Sequence, residues 1–363
     1  MKKAVGLLLL VVVVVVVVVV TRMRSATGGG GSTGGGDPIT LTGYVGGEKM
    51  NLLKDPEVVA LLKDRYGLTL SCDRRGSMEM VEDQDAGGRD FLWPSSQVAM
   101  EIYKSAGKPQ SGAEIILNSP IILYSWATVT DALVKQGIVQ KVADTYYIVD
   151  FPRLIALINE GKSWKDLGLP QLYGRVTIYS TDPTRSNSGN MFAGLLANVL
   201  NNGQVVDDAA LGKLMPTIKR FFDAQGFMDQ SSDVIFRQFL NRGMGDKPLV
   251  IGYEAQLLEY TIDQPQDLAK RREPVRLLYP KPTVWSSHPV IALTQNARRL
   301  IAALQDPDFQ RLAWRKHGFR SGSGSDTDVS AFASVGIPPT IDTVVPMPSA
   351  RSMRRILEAL GSR

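Results

Sequence analysis

Residues 175–200 have the sequence RVTIYSTDPTRSNSGNMFAGLLANVL, in which three patterns follow one another. Arg175–Tyr179 is short, apolar and β-branched, which predicts a strand. Asp182–Gly189 is a polar loop, and Met191–Leu200 has the apolar spacing of an amphipathic helix. A strand followed by a polar loop and a helix is the repeating unit of an α/β fold.

The same loop contains the first candidate binding residues. Either Ser186 or Ser188 can cap the helix, and the first turn of a helix leaves several N–H groups without an intrahelical acceptor. An ordinary cap needs only one of these serines, so the additional Asn187 and Gly189 favour contact with a ligand. The positive end of the helix dipole suits an anion.

The alternation continues along the chain and predicts an α/β fold with mainly parallel sheets. Further segments that predict strands are Leu68–Cys72, Glu114–Leu117, Ile121–Tyr124, Pro248–Ile251, Val275–Tyr279 and Val290–Leu293. Segments that predict helices are Asp55–Tyr66, Ser96–Ser105, Val129–Gln136, Phe151–Ile158, Lys213–Ala224, Ser231–Leu240, Asn296–Leu304 and Phe309–His317. A chain of 363 residues is long enough for two domains.

Other candidate site residues lie where predicted strands end, which is where open α/β sheets bind their ligands. They are Gly76 and Ser77, Ser125 and Trp126, and Tyr253 and Glu254. Trp126 and Tyr253 can pack over a small solute or can fill the core. Three roles are open for Glu254: it can recognise a cationic group, interact with the dipole of the following helix, or pair with an arginine.

The N-terminal residues predict a membrane anchor and a tether. Ala4–Val20 is an unbroken apolar run of 17 residues with lysines before it and arginines after it. This length is at the lower limit for crossing roughly 30 Å of hydrocarbon, and it exceeds a signal-peptide core. We therefore predict an uncleaved signal anchor at residues 1–24 and a flexible Gly/Ser-rich linker at residues 25–38. The large polar remainder favours a single-pass protein of the cytoplasmic membrane with its body on the extracytoplasmic side.

Charge and composition exclude several classes of function. The net charge is +5, but the first 36 residues contain four cations and no acid, which leaves 37 cations and 36 acids in the rest. This balance provides no electrostatic footprint for nucleic acid. Cys72 is the single cysteine, and His288 and His317 are the only histidines, which excludes a multi-cysteine or His-rich metal centre. We predict neither a metal nor a cofactor.

Three segments resemble the type 2 periplasmic-binding-protein family, the extracellular solute-binding proteins of ABC transporters. They are VTIYSTDPTRSNSGNMFAGLLA (176–197), KPLVIGYEAQLLEY (247–260) and LLYPKPTVWSSHPVIAL (277–293). The Asp-Pro loop resembles that of the oxyanion-binding branch, and the resemblance covers most of residues 40–350. It implies two α/β lobes with a solute in the cleft between them: lobe I at residues 39–118 plus 284–363, and lobe II at residues 119–283.

The resemblance also implies which positions bind the solute. They are Ser77, Ser125, Ser186–Gly189 and Tyr253. The chain departs from the pattern in its uncleaved anchor and in two glutamates near the implied site, Glu79 and Glu254, which would repel an anion.

The leading hypothesis is a membrane-tethered, monomeric receptor without enzymatic activity. It would close its lobes around a small polar solute, with an oxyanion or carboxylate favoured, and deliver it to an ABC permease. One alternative is a ligand sensor or adaptor for another membrane protein. Another is an enzyme that uses Cys72 as its nucleophile, although a cysteine in an apolar strand is typical of an inert buried thiol.

Overall fold

A computed structural model describes residues 37–83, 85–322 and 328–361 as a mixed α/β fold. Its strands are β1 Ile39–Val45, β2 Leu68–Arg74, β3 Phe91–Trp93, β4 Gly112–Trp126, β5 Val139–Val142, β6 Tyr146–Asp150, β7 Leu249–Tyr253, β8 Val275–Lys281, β9 Trp285–Ala292 and β10 Arg320–Ser321. The first sheet has the order β2-β1-β3-β9-β4, with β10 also on β4. In the second sheet β4 pairs with β7 and β8, followed by β6 and β5.

Strand β4 belongs to both sheets. Residues 112–120 pair with β9, and residues 121–126 pair with β7 and β8. The sequence predicted two strands here, separated at Pro120. The strand is nevertheless continuous, because Pro120 pairs with Trp285 and the N–H of Ile121 resumes hydrogen bonding with the carbonyl of Val284 at 3.1 Å.

The prediction of mainly parallel sheets is wrong. Strand β1 is parallel to β2 and β3, and β6 is parallel to β8, whereas the other ladders are antiparallel. Two parallel strands that follow each other in the chain need a long crossover, usually a helix, between them. Strand β8 is instead followed by β9 after only residues 282–284, and both strands run antiparallel to β4.

All the predicted helices are present, with ends that differ by a few residues. The helices are α1 Met50–Lys54, α2 Pro56–Tyr66, α3 Ser77–Glu82, α4 Gln97–Ser105, α5 Ala127–Lys135, α6 Phe151–Asn159, α7 Asn187–Leu200, α8 Asp208–Asp223, α9 Ser232–Arg242, α10 Glu254–Asp263, α11 Pro265–Lys270, α12 Arg298–Leu304, α13 Pro307–His317 and α14 Ala350–Gly361. Helix α8 begins earlier than predicted because the Asp207 carboxylate accepts the N–H of Ala210 at 2.7 Å, which caps its first turn.

The predicted strand Arg175–Tyr179 is reduced to isolated bridges. Tyr179 pairs with Val250 of β7, with hydrogen bonds of 2.9 Å on either side of the pair. The next N–H, that of Ser180, donates to the side-chain oxygen of Gln225 at 2.8 Å. The ladder therefore ends there, although the polar loop still begins beside β7.

The buried apolar side chains form two clusters. The smaller cluster lies between the first sheet and helices α1, α2, α12 and α13, and includes Leu41, Phe91 and Phe309. The larger cluster surrounds the second sheet and extends to Met353 and Ile356 of α14. The larger cluster also includes Leu92 of β3 and Ile291 of β9, so it reaches the first sheet as well.

Two chain segments pass side by side between the sheets. The hydroxyl of Thr283 donates to the carbonyl of Ile121 at 2.6 Å. A third segment joins them, because Thr283 also pairs with Val344, and α14 beyond it packs against α4, α7 and α8. The C-terminal segment thus contacts elements of both predicted lobes, whose boundaries at residues 118/119 and 283/284 stay a prediction.

The predicted anchor, residues 1–24, lies outside the described residues, as does the predicted linker except for its last two residues. Among the residues that the structure describes, no helix is long and apolar enough to cross a membrane.

Candidate functional site

Four helices begin at one cavity of about 290 Å³. The residues that precede the first turns of α3, α7, α9 and α10 line it: Gly76, Ser186, Ser231 and Tyr253. No side chain caps these four starts, whereas aspartates cap α2, α6, α8 and α13, which begin elsewhere. Without a cap, the N–H groups of the first turn are free to donate to a bound ligand. The positive end of the helix dipole at the same place favours an anion.

Three arginines and two glutamates also line the cavity. Arg75 donates to Glu79 at 3.1 Å. Arg185 is exposed and makes no side-chain hydrogen bond or ion pair within the described part of the chain. The third arginine is Arg74, and the second glutamate is Glu48. The space continues on one side into a cavity of about 520 Å³ and on the other into a cavity of about 250 Å³.

Hydrogen bonds connect the two walls across the cavity. Asn187, at the start of α7, donates to the carbonyl of Ser95 at 2.8 Å and to the hydroxyl of Tyr253 at 3.0 Å. Arg74, at the end of β2, donates to the hydroxyl of Ser231 at 3.1 Å. These contacts fix the two walls of the cavity relative to each other.

Ser95 connects several parts of the site. Its N–H donates to the hydroxyl of Ser77 at 2.9 Å, and its carbonyl accepts from Ser286 at 2.8 Å as well as from Asn187. Its own hydroxyl donates to the carboxylate of Glu48. One buried residue therefore holds the start of α3, the start of α7 and a carboxylate of the wall in a fixed arrangement.

A buried charged cluster lies behind this wall. The ammonium of Lys49, which is fully buried, contacts Glu48 Oε1 at 2.5 Å, Ser95 Oγ at 2.8 Å and His288 Nδ1 at 3.0 Å. An ammonium only donates, so His288 accepts at Nδ1 and carries its proton at Nε2, which lies 3.3 Å from the hydroxyl of Ser286. The cluster is thus connected by hydrogen bonds throughout.

Burial and neighbouring charge set the protonation of this cluster. Burial, with the nearby ammonium of Lys49, lowers the pKa of His288 to about 4, so the imidazole is neutral. Burial alone would raise the pKa of Glu48, but the ammonium of Lys49 holds it well below its usual value. Glu48 is therefore ionised. Burial raises the pKa of the Tyr253 hydroxyl, which stays protonated.

The structure brings five predicted site residues to the cavity: Gly76, Ser77, Ser186, Asn187 and Tyr253. Ser77 and Asn187 come from opposite walls and meet through Ser95. The hydroxyl of Ser77 already accepts a hydrogen bond from the N–H of Ser95, so it also holds this part of the cavity wall in place.

Ser188 and Gly189 lie directly behind the cavity and are buried. The Ser188 hydroxyl is 2.8 Å from that of Thr181 and 3.2 Å from that of Ser186. At Gly189 the helix start packs against the backbone of the preceding loop, and an added Cβ would lie 2.3 Å from the carbonyl oxygen of Thr181. These two residues therefore position the start of α7.

Gly189→Ala should lower the free energy of unfolding by about 1–3 kcal/mol, because its Cβ forces backbone atoms apart. The control Gly212→Ala, in the interior of α8 with nothing within 4 Å of the added Cβ, should instead raise it by about 0.5–1 kcal/mol. Urea unfolding measures both. Equal effects of the two substitutions would contradict the close packing at Gly189.

The other three predicted site residues lie away from the cavity: Ser125, Trp126 and Glu254. The antiparallel pairing of β4 with β7 places Ser125 opposite Leu249, whereas Tyr253 at the other end of β7 is opposite Ile121.

Trp126 and Glu254 both have partners in the protein interior. The Trp126 ring packs on Phe239 at 4.5 Å between centroids, and its N–H donates to the carbonyl of Lys247 at 2.9 Å. The side chain of Glu254 is fully buried and pairs with Arg320, which is one of the three roles that the sequence left open.

Lining residues outside the predicted set include Glu48, Arg74, Ser95, Arg185 and Ser231. Glu48 follows β1, whose sequence ITLTGYV has the alternation of a strand and is followed by Gly46 and Gly47. That signal could have identified a third strand end. Ser95 and Arg185 carry no comparable signal, because their contacts depend on the tertiary fold.

Cys72 is not poised as a nucleophile. Burial, together with the charge of Asp73, raises the pKa of its thiol to about 12. Only the thiolate reacts efficiently, so the thiol is inert near neutral pH. Cys72 also lies outside the cavity lining. Among the described residues no group of three or more His, Cys, Asp and Glu side chains could hold a metal ion.

Solved structures match the chain over most of its length. A periplasmic thiamin-binding protein aligns with a TM-score of 0.60 over 91% of this chain and 98% of its own, at 11% identity. Iron-bound HitA from Pseudomonas aeruginosa aligns with a TM-score of 0.57 over 89% and 98%, at 13% identity. The sulfate-binding protein SubI from Mycobacterium tuberculosis H37Rv aligns with a TM-score of 0.50 over 88% and 96%, at 15% identity.

The chain has the fold of the type 2 periplasmic solute-binding proteins. This confirms the fold that the three sequence segments implied, including a mixed α/β architecture of the two-lobed kind. These structural neighbours are binding proteins rather than enzymes. No protein-family model matches the chain, and no curated protein matches it in sequence.

Proposed function

We propose that the protein is an extracytoplasmic solute-binding protein that holds a small polar anion in the cavity at the starts of α7 and α9. The observation that carries this proposal is the convergence of uncapped helix starts on a cavity that also contains the unpaired guanidinium of Arg185. Backbone N–H groups at helix starts and an arginine fork are donors that recognise oxyanions and carboxylates.

The charges of the described residues favour this assignment. From the sequence, Glu79 and Glu254 were expected to repel an anion. In the structure Glu79 is paired with Arg75, and Glu254 is buried with Arg320 away from the cavity. Arg185 remains without an ion-pair partner among the described residues, whereas the guanidinium of Arg74 lies 3.9 Å from the carboxylate of Asp233. The sulfate-binding neighbour supports an oxyanion as one candidate, and the thiamin-binding neighbour supports the wider class of small polar solutes.

We further propose that residues 1–24 anchor the protein in the cytoplasmic membrane and that an ABC permease receives the solute. The apolar run Ala4–Val20 and the Gly-rich linker after it support the anchor. The fold supports a partner that takes up small solutes.

A panel of anions should include at least one that stabilises the protein. A ligand at about 100 times its Kd raises the free energy of unfolding by about 2.7 kcal/mol, which a thermal-shift measurement detects. The panel comprises molybdate, tungstate, phosphate, sulfate, amino acids and small carboxylates. Arg185→Gln should weaken the affinity for any hit about tenfold, because a charge-assisted hydrogen bond is lost.

Arg354→Gln is the matched control for Arg185→Gln. Arg354 is an exposed arginine of α14 and does not line the cavity, so its replacement removes the same charge from elsewhere. It should leave the affinity unchanged. A panel without any shift, or equal losses in the two variants, would contradict an anion site in this cavity.

A further inference from the structure

Glu48 is the carboxylate that lies deepest in the wall of the cavity. It belongs to the short helical turn Gly47–Lys49 that follows β1, and it lines both the 290 Å³ cavity and the adjoining 250 Å³ cavity. Only 15% of its side chain is exposed, against 64% for Glu79, the other glutamate of the same cavity. A solute in the cavity therefore meets Glu48 with little water between them.

The cation beside Glu48 is turned away from the solute. The ammonium of Lys49 has three protons, and it has three acceptors in Glu48 Oε1, Ser95 Oγ and His288 Nδ1. Lys49 is fully buried and does not line the cavity. Its charge keeps Glu48 ionised but offers no hydrogen bond to a bound anion.

One oxygen of the Glu48 carboxylate remains without a donor. Oε1 accepts from Lys49 and Ser95, whereas Oε2 accepts no hydrogen bond from any described residue. Oε2 is not fully buried, so a donor can reach it. The wall thus presents a fixed acceptor that an anion alone cannot satisfy.

The acceptor lies close to the donors that would hold an anion. Ser95 contacts Glu48 through its hydroxyl, Ser77 through its N–H and Asn187 through its carbonyl. Ser95 therefore contacts both the carboxylate of Glu48 and the side chain of Asn187 at the start of α7.

We propose that Glu48 makes the site selective for solutes that carry an ammonium group a few bonds away from their anionic group. This inference rests on the proposed function and specifies its solute class. The ammonium donates to Glu48 Oε2, while the anionic group binds the helix starts and Arg185. An anion without such a donor leaves Oε2 of Glu48 without a hydrogen bond beside a like charge, which selects against that anion.

The test compares solutes that differ only in an amino group, using the full chain in detergent. The pairs are glycine and acetate, 3-aminopropionate and propionate, and phosphoethanolamine and ethyl phosphate, measured by calorimetry. In at least one pair the amino member should bind about tenfold more tightly, as expected for one charge-assisted hydrogen bond. Glu48→Gln should reduce this preference to less than about twofold.

Glu79→Gln is the matched control, because it removes the same charge from the same cavity at an exposed position. It should retain the amino preference. If Glu48→Gln does not fold, the same solute pairs are measured with the double variant Glu48→Gln and Lys49→Met. This variant removes both charges of the buried pair.

The outcomes separate the two proposals. Binding of the simple anions with no amino preference in the wild type would overturn the role of Glu48 and leave the anion site in place. A preference that survives loss of Glu48 would also overturn it. Failure of every solute, with or without an amino group, would reject the anion site and this inference with it.

Discussion

Replacing Arg320 with methionine should lower the free energy of unfolding by about 3–5 kcal/mol, because it leaves a buried carboxylate without its counterion. Arg320 donates to Glu254 Oε2 at 2.6 Å and to Oε1 at 2.8 Å, and the hydroxyl of Tyr279 donates to Oε1 at 2.7 Å. Glu254 is fully buried and Arg320 is 5% exposed. Water therefore cannot replace the lost hydrogen bonds.

Urea unfolding of the variant measures this loss. Arg311→Met is the matched control, because Arg311 pairs with Asp308 at 2.6 Å on the surface, and such pairs contribute about 0–1 kcal/mol. Combining Arg320→Met with Glu254→Leu should recover much of the stability, since no unpaired charge remains. A loss below about 1 kcal/mol for Arg320→Met would show that Glu254 finds another partner or becomes protonated.

The ion pair also fixes the position of Tyr253, which is adjacent to Glu254 in the chain. Tyr253 and Glu254 are adjacent where β7 gives way to α10, and Tyr253 lines the cavity while Glu254 points to Arg320. The guanidinium also donates to the carbonyls of Pro338 and Pro339, both at distances below 3 Å. The buried pair thus fixes the start of α10 against the chain that follows β10.

Strand ends were the part of the site that the sequence could predict. Gly76, Ser77 and Tyr253 follow strands whose apolar patterns are clear, and all three line the cavity. Ser125 follows an equally clear strand but lies elsewhere, because β4 is antiparallel to β7 and its end is at the opposite edge of the sheet. Strand direction depends on pairing between distant segments, which periodicity along the chain does not encode.

The buried cluster could not be predicted for a related reason. Glu48 and Lys49 are adjacent in sequence, but Ser95, which follows β3, and His288 of β9 contact them from distant parts of the chain. In the sequence Lys49 has the character of an exposed residue, and only the tertiary fold shows that its charge is fully buried. Arg185 was visible within the loop, but its free guanidinium is a property of the folded site.

Acidification should destabilise the protein through His288 by roughly 3 kcal/mol in all. Burial, with Lys49 nearby, lowers the pKa of His288 to about 4, whereas a histidine in the unfolded chain has a pKa of about 6.5. The unfolded chain therefore binds the proton first as the pH falls. Stability is lost between about pH 6.5 and pH 4, with about 2 kcal/mol lost already on going from about pH 7 to about pH 5.

Urea unfolding at these two pH values measures the effect, and His288→Gln isolates it. Glutamine can still accept a hydrogen bond from Lys49 but does not titrate, so the variant should lack this part of the loss. Glu48 stays ionised at about pH 5, since its pKa lies well below its usual value, and adds little in this range. His317→Gln removes the other histidine and should keep the loss due to His288. An equal loss of stability in wild type and His288→Gln would mean that His288 takes up its proton in the folded protein as readily as in the unfolded chain.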